Sequence, residues 1–289
     1  MLHSVPNEND LNNRFARTGI MDFLLKEREL GHIRNLGFSF HGNKEGFDEL
    51  MVLHDKYRWD FVQIQMNYID WENAGGRNAP ANYLYAELDK REIPIIIMEP
   101  LRGGALADIP AQVADQLKER EPERSIASWA FRFVGSFPRV KCALSGMTYM
   151  EHLQDNLETF MDFQKLDEEE NKLLLDIADQ MVNYPLVNCT TCNYCMPCPY
   201  GINIPGIFAF YNDNVIAGTY VRSKEQKNYN RARRKYLLAY NEAISTVRQA
   251  DHCISCRRCE RECPQNIRIA DELRRIDRYI ESLKRETLE

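Results

Sequence analysis

Residues 189–199, CTTCNYCMPCP, and residues 253–264, CISCRRCERECP, hold eight of the chain's nine cysteines. The second run has the spacing C-x2-C-x2-C-x3-C-P from which bacterial-type iron–sulfur clusters take their ligands; the first is one residue shorter before its last Cys. Three thiolates spaced by two residues can wrap one cubane corner by corner. The fourth Cys of each run, followed by Pro199 or Pro264, does not easily fold back on its own cluster, and where two such runs coexist it ligates the other cluster. The expected ligand sets are therefore Cys189, Cys192, Cys195 and Cys263 for one 4Fe–4S cluster, and Cys253, Cys256, Cys259 and Cys198 for the second. Zinc would accept the same sulfurs tetrahedrally, although zinc ribbons separate two C-x2-C pairs by a longer loop. Disulfides fit less well, because thiols three residues apart in a tight run seldom meet bridge geometry.

Around these runs the tail reads as helical. PGIFAFYNDNVIAG and YNRARRKYLLAYNEAISTVRQ lie between them, the first opened by Pro205, and IADELRRIDRYIESLKRE forms a charged amphipathic helix after them. Arg257, Arg258, Arg261 and Arg268 crowd the second run. They read as an offset to cluster charge, as a docking face for a redox partner protein, or as a solvated rim.

Upstream, to about residue 165, short apolar strands alternate with amphipathic helices. Strand-like runs are 33–40, 59–68, 93–100 and 139–146; helix-like stretches are 20–30, 45–57, 79–92 and 149–160, with two more between the last strands. LDEEENKLLLDIADQMV follows with an acidic first turn suited to a helix start. Near-continuous Ile, Val and Phe in the strands predict a parallel sheet covered on both faces. Repeated β-α units mean a doubly wound sheet or a (β/α)8 barrel. Cys142, in the apolar run VKCAL, reads as a buried core thiol.

Composition bounds the rest. The 289 residues suffice for two domains, with 44% apolar and 28% charged residues, ordinary for a globular protein. A net charge of −6 argues against a nucleic-acid surface. No apolar stretch reaches the roughly 18 residues of a membrane helix. The start, MLHSVPNEND, shows no signal-peptide pattern, and many reduced thiolates predict a cytoplasmic protein.

The phrases MLHSVP, IRNLGFSFHG, DFVQIQMNYID, MEPLRGG, SGMTYMEHLQDN and CNYCMPCPYGINIP together resemble aldo/keto reductases that carry a C-terminal ferredoxin-type domain. The resemblance implies a partial (β/α)8 TIM barrel, strands 4 to 8, over residues 1–165. A helical, ferredoxin-like iron–sulfur domain would follow over 166–289. It also implies an oxidoreductase that reduces a small carbonyl substrate with NAD(P)H. His3 would be the active-site histidine at the end of the fourth strand, hydrogen-bonding the carbonyl oxygen. Ser39 and Gln63 match positions that hold the nicotinamide carboxamide, with Phe40 where an Asn is usual and Met98 where a tyrosine often stacks. Gly146, Met147, Thr148, His152 and Asn156 match the loop and helix that receive the adenosine end. The Arg or Lys that often grips a 2′-phosphate is absent, His152 being the nearest substitute.

Against the same family, half a barrel is missing. About 165 residues precede the tail, whereas a full barrel takes around 250. The family's Asp, proton-donating Tyr and Lys have no counterpart here. A missing barrel half, supplied in cis or in trans, is therefore expected. The alternative is an iron–sulfur electron-transfer or structural module with a catalytically incomplete barrel.

Overall fold

The computed structural model describes residues 1–75, 78–182 and 185–287. The chain divides into two compact units: Met1–Ala107 with Glu121–Val182, and Asp108–Arg120 with Asn183–Glu289.

The first unit is an α/β layer built on four parallel strands in sequential order. Helix α1 (Ile20–Glu29) precedes β1 (Gly37–Ser39); α2 (Lys44–Val52), β2 (Phe61–Gln65), α3 (Ala81–Lys90) and β3 (Ile95–Met98) follow. After α4 (Ala111–Arg120), which belongs to the other unit, α5 (Ile126–Gly135) leads to β4 (Val140–Ala143), α6 (Met150–Met161) and α7 (Glu168–Val182). Caps fix several helix starts. The Asn43 side chain accepts from Gly46 N–H at 3.0 Å, and Ser125 Oγ from Ser128 N–H at 2.9 Å. Asp167 and Glu170 cap each other's backbone N–H at 2.7 and 3.0 Å, the reciprocal box expected of an acidic helix start.

In register, Phe38 stands opposite Val62, and Val62 opposite Ile95. With Ile64 and Ile97 these residues are wholly buried, and Trp59 packs edge-on against Phe38 at 5.0 Å. Phe61, Gln63, Ile96 and Met98, on the opposite face, are only half-buried. Burial on both faces, as expected, is found in β1, whose three residues are all buried. Phe61 to Ile64 of β2 and all of β3 alternate instead between a sealed and a half-open face, and isoleucine alone does not reveal which residues point where. Gly37 is needed here because any Cβ would collide with Phe61.

Two further expectations change. The amino-terminal strand is reduced to one parallel bridge, Leu2 to Phe38; Ser4 takes a left-handed φ of 53° that breaks the regular ladder, although Val5 N–H still donates to the Ser39 carbonyl at 2.9 Å. Cys142 is exposed, not a core thiol. It lies on β4, the last strand in the order, so the apolar run around it has a solvent-facing side.

The second unit packs α8 (Ile204–Ile216), α9 (Tyr229–Ala243) and α10 (Ile269–Arg285) around a buried core. Ile269, Leu273, Ile276, Ile280 and Leu283 of α10 recur at helical spacing and all are buried. Tyrosines fill much of this core: Tyr220 stacks on Tyr279 at 4.4 Å, and Arg275 lies over Tyr211 while donating to its hydroxyl at 2.7 Å. Burial drives the Tyr240 phenol up to about 12, so these rings stay neutral. Among the described residues no helix is long and apolar enough to cross a membrane.

Candidate functional site

The first unit contains a cleft of about 710 Å³ beyond the carboxyl ends of β3 and β4, the end of a parallel sheet where ligands usually bind. One wall is the loop after β3, with Pro100, Leu101, Gly103 and Gly104. Arg102, Gly103 and Gly104 take φ values of 48°, 67° and 98° after Leu101 at −102°. The turn is held by its own backbone: Arg102 N–H donates to the Glu99 carbonyl at 3.0 Å and Gly104 N–H to the Leu101 carbonyl at 2.9 Å. The facing wall is the ribbon after β4 and the first turns of α6, whose start lacks a side-chain cap.

Gly146, Met147, Thr148, His152 and Asn156 all line this cleft. Local hydrogen bonds hold them: Asn156 Nδ2 donates to Ser145 Oγ at 3.0 Å, and Thr148 N–H donates to His152 Nδ1 at 3.3 Å. Ser39, Gln63 and His3 are not part of its lining. Ser39 and Gln63 are register partners. Ser39 is buried and its Oγ accepts from Ser4 N–H at 2.8 Å, while Gln63 Nε2 donates to Met98 Sδ at 3.4 Å. His3 is exposed, its backbone carbonyl accepting from Arg14 at 2.8 Å.

Sequence reasoning left His41 without a role. Its ring is held below the ordinary histidine pKa, first by burial and then by the nearby His3. It borders a cavity of about 10 Å³ with Gln65 and Asp70, and Asp70 in turn accepts from Gln65 and Asn67 at 2.7 Å each. A histidine two residues past a strand end was the available signal, but only tertiary packing brings His3 beside it.

In the second unit Cys189, Cys192, Cys195 and Cys263 line one small cleft. Three come from the first run and one from the second, about sixty residues away. The loops wrap alike. Thr191 and Asn193 in the first, and Ser255 and Arg257 in the second, all take left-handed φ between 51° and 64°. Three residues past the fourth Cys, Gly201 (78°) and Asn266 (51°) repeat the match. Sequence reasoning did not extract this repeat, although PYGINI after Cys198 and PQNIRI after Cys263 carried it.

These donors suit a polynuclear cluster. Burial, then neighbouring Cys189, push the Cys195 thiol up to about 11; burial, then Glu260, take Cys259 up to about 12. Thiols so placed repel one another as anions, and bound cationic iron reverses that preference. No three His, Cys, Asp or Glu side chains among the described residues crowd around the position of a single ion. Cys192 and Cys256 are exposed, and Cys263 is the one buried cysteine of the two runs.

The model of the Aldo/keto reductase family matches residues 1–179, and that of a 4Fe-4S dicluster domain matches residues 185–267. No curated protein matches the chain. Among solved structures, the thermostable aldo-keto reductase Tm1743 in complex with the inhibitor epalrestat shares 20% identity, with 55% of this chain and 53% of that chain covered and a TM-score of 0.44. The holo form of aldo-keto reductase AKR11C1 from Bacillus halodurans shares 14%, with 55% of each chain covered and a TM-score of 0.43. The match thus spans about half the length of these solved structures.

Proposed function

The chain belongs to the aldo/keto reductase family, and from that premise we propose an oxidoreductase that reduces a small carbonyl with NAD(P)H and handles electrons through two 4Fe–4S clusters. The carrying observation is the cleft in which Cys263 joins Cys189, Cys192 and Cys195. It supports the crossed ligand sets, with Cys198 completing the group of Cys253, Cys256 and Cys259 in a ferredoxin-like helical domain. The four strands and the Leu2 bridge support reading the sheet as strands 4 to 8 of a barrel.

Bound in these places, the clusters would supply single-electron transfer and the dinucleotide a hydride. The chain's own residues do the holding. The β3 loop receives the pyrophosphate, the ribbon 145–148 and α6 receive the adenosine end, and Ser39 and Gln63 meet the carboxamide. His3 orients the carbonyl by a hydrogen bond. No Tyr or Lys here matches the family's proton-donating pair by motif, and a barrel half provided in cis or in trans would supply the product's proton. A redox partner protein exchanges electrons with the clusters in a reducing cytoplasm.

Anaerobic purification tests this reading. Expected are about eight irons per chain and broad visible absorbance that bleaches with dithionite. Cys263→Ala should damage the cluster held by 189–195, and Cys198→Ala the one held by 253–259, each read by electron paramagnetic resonance after reduction. A colourless, iron-free protein would overturn the proposal, and damage confined to the 189–195 cluster in Cys198→Ala would overturn the crossing.

A further inference from the structure

The two walls of the first unit's cleft differ in charge. The loop after β3 lines it with Pro100, Leu101, Gly103 and Gly104, none of them charged. The opposite wall, at the start of α6, carries the carboxylates of Glu151 and Asp155, and no lysine or arginine lines the cleft among the described residues. Arg102, on the loop itself, reaches the buried Asp70 at 3.4 Å.

His152 turns its Nδ1 to the Thr148 N–H, from which it accepts at 3.3 Å, so that nitrogen is not offered to a phosphate as a donor. Asp155 accepts from Ser125 Oγ at 2.8 Å and is half-buried. Glu151 is exposed, in the first turn of α6, where a carboxylate already occupies the favourable field that an incoming anion would use.

A phosphate monoester at neutral pH carries between one and two negative charges. Set against two carboxylates with no cation between them, a 2′-phosphate meets repulsion. A free 2′-hydroxyl is a donor, and a carboxylate is an acceptor only. The geometry points to NADH rather than NADPH, with Glu151 as the residue that sets the preference. This inference rests on the reading of the cleft as the dinucleotide site. It adds that the adenosine end of the cleft turns a 2′-phosphate away.

Isothermal titration calorimetry of the full chain, prepared without air, tests the preference. The probes are 5′-AMP against 2′,5′-ADP for the adenosine end, and NADH against NADPH for the whole dinucleotide. Each probe lacking the 2′-phosphate should bind about tenfold more tightly than its partner (about 1.4 kcal/mol). The gap should narrow as salt rises. Glu151→Lys should close or invert it, chiefly by tighter binding of the 2′-phosphorylated probes, at unchanged iron content. Equal or tighter binding of those probes by the natural chain overturns the inference alone, as does an unchanged ratio in Glu151→Lys. If no probe binds, the dinucleotide reading falls and the inference falls with it.

Discussion

In the first unit the buried guanidinium of Arg132 is enclosed by protein. It meets Glu121 at 2.8 Å, Glu170 at 2.9 Å and the Gln164 carbonyl at 2.9 Å. In the second unit Cys189, Cys195 and Cys259 have chiefly one another and nearby backbone, and burial holds all three above the ordinary thiol pKa. The first unit thus carries its own counter-charges, whereas the second is finished only by a ligand from outside the polypeptide. Stability should be intrinsic in one and conditional in the other.

The sharpest break in this comparison is iron removal. Metal-ligand free energy in small domains is folding free energy, on the order of 10 kcal/mol for a structural ion. Stripping iron with a chelator under anaerobic conditions should open residues 185–267 to limited proteolysis and leave the sheet of the first unit protected. Equal protection of both before and after chelation would erase the distinction. The reverse experiment is Arg132→Met. It leaves Glu170 buried without its cation and should cost the first unit about 3–5 kcal/mol. Urea denaturation should register that loss while iron content stays unchanged.

Smaller effects sharpen the likeness between the two loops. A Cβ at Gly201 would make only ordinary contact with the Val247 carbonyl oxygen at 3.8 Å, but φ is 78°, so Gly201→Ala should cost only the left-handed penalty, about 1–2 kcal/mol. That loss should appear in the denaturation midpoint of the iron-loaded protein without spectral change. The smallest effect concerns pH. Burial, then His3, keep His41 below its ordinary pKa of about 6.5, so the unfolded chain takes up that proton more readily than the folded one. The associated stability is complete above pH 6.5 and declines as the pH falls toward the folded-state value. His41→Gln should flatten the stability profile over that interval and leave it unaltered above.

How much of this was legible follows from how local each signal is. The helices were readable because apolar spacing and caps are written in neighbours, as in Asp167 with Glu170 or the stripe of α10. The strands were readable as elements, but the run Ile95–Ile97 looks the same whether one face or both are sealed. Cys142 misled for the same reason: a strand's position within its sheet is not stated by its own residues. The 4Fe-4S dicluster domain was legible because the spacing of its cysteines is itself the signal. His41 was not, since its neighbours His3, Gln65 and Asp70 come from other segments. The left-handed positions in the cysteine loops were hidden because Thr191, Ser255 and Arg257 are not the residues that usually advertise them.

The chain's three tryptophans, Trp59, Trp71 and Trp129, all belong to the first unit, while the second buries Tyr211, Tyr236, Tyr240 and Tyr279. Intrinsic fluorescence is therefore divided by the fold itself. Indole emission reports the sheet and its helices, and phenol emission at shorter wavelength is weighted toward the cysteine-bearing helices. One cuvette can follow the two halves separately, without an added dye.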